Sequence, residues 1–424
     1  MSREMKHSGI PWIGEIPKEW NVNLLSLLFY EHKQKNVDLT ETNLLSLSYG
    51  KIVRKDINTK EGLLPESFDG YNIISNGDIV FRLTDLQNDK RSLRTGLCKE
   101  KGIITSAYVT IRGKQSLNST YYHYLFHSYD LCKVFYGMGD GVRQGMNFGD
   151  LRKLLILLPP LSEQQKIASY LDRKCSEIDE MVVLQEKIIE ELKAYKQSVI
   201  TEAVTKGLNP DVPMKDSGIE WIGEIPESWE VKRLKNCTEL NPSFDFKIKS
   251  DTLVSYMPME CLRNGVIQER ISPYKEVSNY TPFQNEDIVM AKVTPCFENG
   301  NIAIARNLCE GYGFGTSEIF VIRCQNGICN QYVFYYLQSA YIKNLGVSSM
   351  TGTGGLKRVN PTILNNAVLL HPSLPEQQKI ASYLDEKCSE IDSLISIKQS
   401  KIESLKEYKK SIIYEYVTGK KEVE

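Results

Sequence analysis

The chain of 424 residues carries 52 basic against 53 acidic side chains, a formal net charge of −1, and 41% of its residues are hydrophobic. That length exceeds one ordinary core, so two or more domains are expected, and the balanced charge excludes a general pull towards nucleic acid. The opening MSREMKHSG has no apolar signal core, the longest aliphatic run, Leu154 to Leu158, is far too short to span a bilayer, and the ten cysteines lack paired metal spacing. A cytoplasmic protein with reduced thiols and no metal site is expected, in which any DNA site is a local basic face.

Taken in chain order, the elements occur twice. A leader, SGIPWIGEIPKEWNV, begins at Ser8 and returns as SGIEWIGEIPESWEV at Ser217. The body that follows is only faintly repeated: NGDIVF at Asn76 matches NEDIVM at Asn285, and SAYVTIR at Ser106 matches SEIFVIR at Ser317. Next come the aromatic stretches YYHYLFHSY and YVFYYLQSAY, whose spacing predicts amphipathic helices that fill the domain cores. After an aliphatic strand and a proline break, LSEQQKIASYLDRKCSEID starts at Leu161 and LPEQQKIASYLDEKCSEID at Leu374, with 17 of 19 positions identical. Each unit is about two hundred residues, too long and too few for a solenoid.

The phrase opens a long helix. Leu171, Cys175, Ile178, Val182, Gln185, Ile189, Leu192, Lys196, Val199 and Ala203 alternate in steps of four and three, and the second copy keeps the same seam, including its polar interruptions. That is the pattern of a coiled coil, about forty residues and roughly 60 Å long. If polar layers meet polar layers in an antiparallel pair, Gln185 should face Lys409, and Lys196 should face Lys398. Packing accounts for the apolar seam. It does not account for the identical polar residues of EQQK, Glu163, Gln164, Gln165 and Lys166 with Glu376, Gln377, Gln378 and Lys379, which lie mostly off the seam and suit two copies of one partner. A relic of recent duplication is the bland reading, but the bodies have diverged under the same history.

Candidate DNA contacts are Lys90, Arg91 and Arg94 in NDKRSLRTG, Arg143 and Gln144 in GDGVRQGMN, and Lys357 and Arg358 in TGTGGLKRVN. Arginine suits guanine, glutamine suits adenine, lysine supplies phosphate contacts, and glycines let the backbone approach the duplex. The competing reading for each is a solvated loop. His123 and His127 are four apart and could share a metal, but without a third ligand a partly buried pair is the plainer reading. No active site is evident: GYGFG at Gly311 and NPSF at Asn241 are in the wrong order for a methyltransferase and lack a second proline, and there is no phosphate loop or HExxH.

The order of WIGEIPxxW leader, variable body, EQQKIAxYLD and long helix, repeated once, resembles the specificity subunit of Type I restriction-modification systems. The resemblance implies an α+β protein in which two pseudo-two-fold related target-recognition domains are joined by two long antiparallel helices. It further implies that each domain reads one half of a split site on double-stranded DNA and that the helices receive two methylation subunits. On that reading the chain is not an enzyme and binds no cofactor itself; S-adenosylmethionine belongs to the methylation subunit, and motor-nuclease subunits join the complex. The boundaries are 1–158 and 209–370 for the recognition domains, with 159–208 and 371–424 for the helices. The alternatives are a methylation-only system without motor-nuclease subunit and, from another class, a coiled-coil scaffold without DNA.

Overall fold

The computed structural model describes residues 3–58, 65, 67–86, 93–114, 116–138, 145–220, 222–244, 247–353 and 355–423. It is α+β and divides into two compact units, residues 1–185 with 400–424, and residues 186–399. Helices Leu161–Lys206 and Leu374–Val417 each contribute one part to either unit.

In the first unit the leader forms a hairpin, Met5–His7 against Glu15–Pro17. Strand Asn21–Leu24 then pairs antiparallel with Leu155–Leu158, so the start and end of the body are tied at one place. The body's main sheet is antiparallel in the order Phe29–Glu31, Val109–Gly113, Ile79–Phe81, Thr95–Leu97. Helix Ser119–Leu131 starts at Asn118, whose side chain accepts from the Tyr121 backbone N–H, and it covers the core with aromatic rings. Tyr122 meets Phe29 edge-on at 5.0 Å between centroids, Phe126 meets Phe81 at 5.1 Å and Tyr121 meets Trp20 at 6.4 Å. Fully burying each such ring contributes about 2–3 kcal/mol.

The second unit repeats this frame. Met214–Asp216 pairs with Glu224–Pro226, Glu230–Arg233 pairs with Val368–His371, and the corresponding sheet runs Thr238–Leu240, Ile319–Cys324, Ile288–Ala291, Ile302–Ile304. It also holds a second four-stranded sheet, Arg270–Pro273, Leu253–Met257, Tyr312–Gly315, Thr281–Gln284, with one parallel pair. The corresponding part of the first body keeps that order in two pairs, Leu45–Ser48 with Lys51–Arg54 and Asn72–Ile74 with Gly102–Ile104, joined by a single parallel bridge between Leu44 and Ile103. The faint NGDIVF and NEDIVM likeness marks a shared interior ion pair. Asp78 is buried and takes both oxygens to Arg112 at 2.6 and 2.8 Å, while Asp287 does the same with Arg323 at 2.8 Å each.

The helices pack antiparallel within each unit. In the first, Tyr170 stacks against Tyr416 with centroids 4.4 Å apart, and Leu171, Ile178 and Val182 are buried along with Ile402 and Ile412. Both helices end at a glycine with positive φ, Gly207 at +74° and Gly419 at +71°, the conformation that stops a helix cheaply only without a Cβ. A Cβ on Gly419 would come within 2.4 Å of Pro17 and 3.0 Å of Trp20, so the last helical turn is pressed onto the leader. Beside it, the Tyr121 hydroxyl donates to the Val417 carbonyl at 2.9 Å.

The expected polar layers are not formed. Lys409 pairs with Asp179 at 2.6 and 2.7 Å, and Lys196 with Asp392 at 2.8 and 2.7 Å. Asp179 lies six residues before Gln185 and Asp392 six before Lys398, so each ammonium meets an acid from the rim of the seam in place of an amide or another ammonium. Opposite charge in reach wins over matching polar layers. Gln185 is left buried, its side-chain oxygen without a partner among the described residues. Among the described residues no helix is long and apolar enough to cross a membrane.

Candidate functional site

The described ends of the two glycine-rich segments lie just past corresponding strands, one in each body. In the second unit Thr351 and Arg358 exchange backbone hydrogen bonds of 3.1 and 2.9 Å, closing TGTGGLKR into a loop. That loop is pinned to the chain just past strand Ile288–Ala291: Thr294 N–H donates to the Lys357 carbonyl at 3.0 Å, its hydroxyl donates to the Gly355 carbonyl at 2.6 Å and accepts from Lys357 N–H at 3.0 Å, and Val359 N–H donates to the Lys292 carbonyl at 2.8 Å. In the first unit the GDGVRQGMN segment ends in the same way, Met146 N–H donating to the Leu83 carbonyl at 2.9 Å just past strand Ile79–Phe81.

Lys357 is exposed. Arg358 is half exposed and forms a two-pronged pair with Glu318 at 3.0 and 2.7 Å. A base or phosphate taken by Arg358 must therefore replace a carboxylate, which favours a planar two-acceptor edge such as that of guanine. Lys292 lies on the backbone that holds the loop, a cation that sequence spacing did not single out because it sits far from the glycines along the chain.

Arg94 is not a surface residue. It is fully buried, with its guanidinium donating to the carbonyls of Thr84 at 3.1 Å and Asp85 at 3.4 Å and to the Tyr136 hydroxyl at 3.3 Å, while its backbone N–H donates to Asp130. The physical reason is the donor fork of arginine, which reaches three oxygens at once. Burial raises the Asp130 carboxyl to about 6, against the lowering effect of the Arg94 N–H. Lys90, Arg91, Arg143 and Gln144 lie outside the described residues.

The repeated phrase splits into an inner and an outer set. Glu163 accepts from the Trp20 indole at 2.8 Å and from Arg3 at 2.5 and 2.9 Å; Glu376 accepts from the Trp229 indole at 3.0 Å. Gln164 is buried, donating to the Pro159 carbonyl at 2.9 Å and accepting from Asn118 N–H at 3.0 Å, and Gln377 repeats this with Pro372 and Cys329, both at 2.9 Å. Asp172 accepts from the Tyr124 hydroxyl at 2.9 Å, and Asp385 from Tyr335 at 2.7 Å. Gln164 and Gln377 thus cannot serve as exposed docking residues, and Glu163 and Glu376 are largely committed to the leader. These off-seam residues are expected from the sequence to face a partner, but the body covers Gln164 and Gln377. Gln165, Lys166, Gln378 and Lys379 remain on the surface. The pairing of leader tryptophan with phrase glutamate was missed, although the invariance of both residues between the copies signalled it.

His123 and His127 have ring centroids 6.3 Å apart. Burial lowers His123 to about 3, aided by His127 and Lys99, and lowers His127 to about 4, aided by Lys409 and Lys410. Among the described residues no group of three or more His, Cys, Asp or Glu could hold a metal.

The description Type I restriction modification DNA specificity domain matches residues 57–194 and 226–407, well over half of the sequence. The chain belongs to that family, and its relatives are specificity subunits. It is 32% identical over 213 residues to the Type I restriction enzyme EcoAI specificity subunit of Escherichia coli, covering 49% of this chain and 36% of that protein. With the MjaVIII specificity subunit of Methanocaldococcus jannaschii it shares 29% identity over 333 residues, 76% of this chain and 75% of the relative. The matched segment spans only about a third of the E. coli relatives EcoAI and EcoEI. Among solved structures, a chain described under complex assembly and conformational transition of the type I R-M system superposes with a TM-score of 0.70 at 15% identity, covering 95% of this chain and 99% of that one. The HsdS subunit from Thermoanaerobacter tengcongensis gives 0.53 at 15% identity, covering 95% and 98%. These likenesses establish the fold.

Proposed function

We propose that this chain is the non-catalytic DNA-reading subunit of a Type I restriction-modification complex in the cytoplasm. Residues 1–158 and 209–370 each read one half of a bipartite site on double-stranded DNA. Helical regions 159–208 and 371–424 receive two methylation subunits, which carry S-adenosylmethionine and modify adenine, and motor-nuclease subunits complete the assembly. The observation that carries this reading is a frame kept residue for residue around bodies that differ: Trp to Glu, Gln to the proline carbonyl and Asp to Tyr recur in both units, whereas the parallel strand pair at the centre of the second unit's other sheet shrinks in the first to one bridge, Leu44 with Ile103. A constant frame suits one repeated partner, and divergent bodies suit two unlike half-sites.

DNA contact is assigned to the glycine-rich loops, with Lys357 and Arg358 in the second body and Arg143 and Gln144 in the first, and to the separate polar segment that carries Lys90 and Arg91. Partner contact is assigned to Gln165, Lys166, Gln378 and Lys379. The test is methylation sequencing of DNA from cells that carry this chain with its methylation subunit, before and after residues 8–158 are replaced by another member's first domain. One half of the methylated motif should change and the other stay; a change in both halves would overturn the modular reading.

A further inference from the structure

Once the inner residues of the repeated phrase are set aside, its outer residues can be compared. On the first copy they are Gln165, Lys166, Ser169, Tyr170 and Arg173; on the second, Gln378, Lys379, Ser382, Tyr383 and Glu386. The two 19-residue phrases differ only at Ser162 against Pro375 and at Arg173 against Glu386, so the single charged difference is a reversal on the shared outer face.

The surroundings differ as well. In the first unit Tyr170 is stacked on Tyr416, the Arg173 guanidinium sits 5.6 Å from the Tyr170 ring, and together with Lys166 and Glu422 they line an open cleft of about 980 Å³. At the position matching Tyr416, the second unit has the buried Ala203, and Tyr383 is 36% exposed with no ring partner among the described residues. One face is therefore a pre-ordered aromatic pair with arginine beside a cleft, the other a lone tyrosine with glutamate. Buried Tyr and Arg are the side chains that most often dominate interface energy, glutamate is depleted there, and pre-ordering lowers the entropy lost on binding.

We infer that the two phrases are unequal docking surfaces, and that a methylation subunit occupies the Arg173 surface first and more tightly than the Glu386 surface. This rests on the reading above that the phrases receive methylation subunits. A single type of partner offers the same patch to both, and that patch cannot complement arginine and glutamate equally.

The test is a titration of purified methylation subunit onto the full chain, followed by native mass spectrometry and calorimetry. The wild type should load in two steps about tenfold or more apart in affinity, beyond the statistical difference between identical sites. Arg173→Glu should weaken the tight step about tenfold and leave two nearly equal weak sites, whereas Glu386→Arg should strengthen the weak step. Lys166→Glu and Lys379→Glu identify which surface each step uses. If these lysine changes leave both steps untouched, docking on the phrases is wrong. If they act, but the wild-type steps are equal, the Glu386 surface fills first, or the gap survives both Arg173→Glu and Glu386→Arg, docking stands and the inequality is overturned. Arg173 and Glu386 are exposed, and unchanged thermal melts of the free variants check that folding is intact.

Discussion

The indole of Trp20 donates to the carboxylate of Glu163 across 2.8 Å, linking the leader to the first turn of a helix 143 residues later in the chain. Trp229 and Glu376 make the same bond in the second unit. Trp20→Phe keeps the ring but removes the donor to a charged acceptor, so it should lower the stability of the first unit by about 1.5–3 kcal/mol. Urea unfolding followed by probes in each unit measures this, and the transition of the second unit should not move.

Asp78 is the buried member of its pair, whereas Arg112 reaches partly to water. Arg112→Met strands the carboxylate and should cost about 3–5 kcal/mol, while Arg112→Met combined with Asp78→Leu should recover much of that loss. Chemical denaturation of the two variants and the wild type provides the comparison; a double variant no better than Arg112→Met would show that the pair acts through packing alone.

Two opposed pH effects are built into the aromatic helix. His123 and His127 are held below the ordinary histidine value, at about 3 and about 4, so their neutral forms favour the fold; that stability is full above about 6.5 and is lost as pH falls through 4 and 3. Asp130, raised to about 6, has the reverse sign: its protonated form favours the fold, and that contribution is present below about 3.9 and lost as pH rises through 6. Replacing both histidines by leucine should flatten the loss of stability between pH 6.5 and 4. Asp130→Asn should raise stability at pH 7 relative to pH 4, read from denaturation midpoints across that range.

Lys357 and Arg358 adjoin in sequence but should act differently on DNA. Lys357→Gln should weaken binding to all duplexes alike and reduce the salt slope by about one, as loss of one phosphate contact does. Arg358→Ala should relax the choice of base at one position of a single half-site, costing about 1–3 kcal/mol on the preferred sequence. Equilibrium binding over a salt series, with a library of half-site variants, separates the two.

The duplicated frame was legible because repetition exposes what a single copy hides, and the seam because apolar spacing of four and three has few other readings. Individual side chains were harder. Arg94 was assigned to DNA because a basic residue in a polar loop normally faces water, and nothing in NDKRSLRTG announces three oxygens within reach of its guanidinium. Gln164 and Gln377 were misread because heptad position describes only the face towards the other helix, whereas a second face lies under the body. The lysine pairings were missed because Asp179 and Asp392 stand beside the seam, outside the positions that the pattern counts.

The pressing of Gly419 onto Pro17 and Trp20 has a consequence for synthesis. The leader is synthesised long before the turn that seals it, while the other unit is one unbroken stretch, 186–399. The unit begun first is thus completed after the other, and its base stays open until Gly419 has been made. A message cut short after residue 399 would therefore yield one finished unit and one unsealed one.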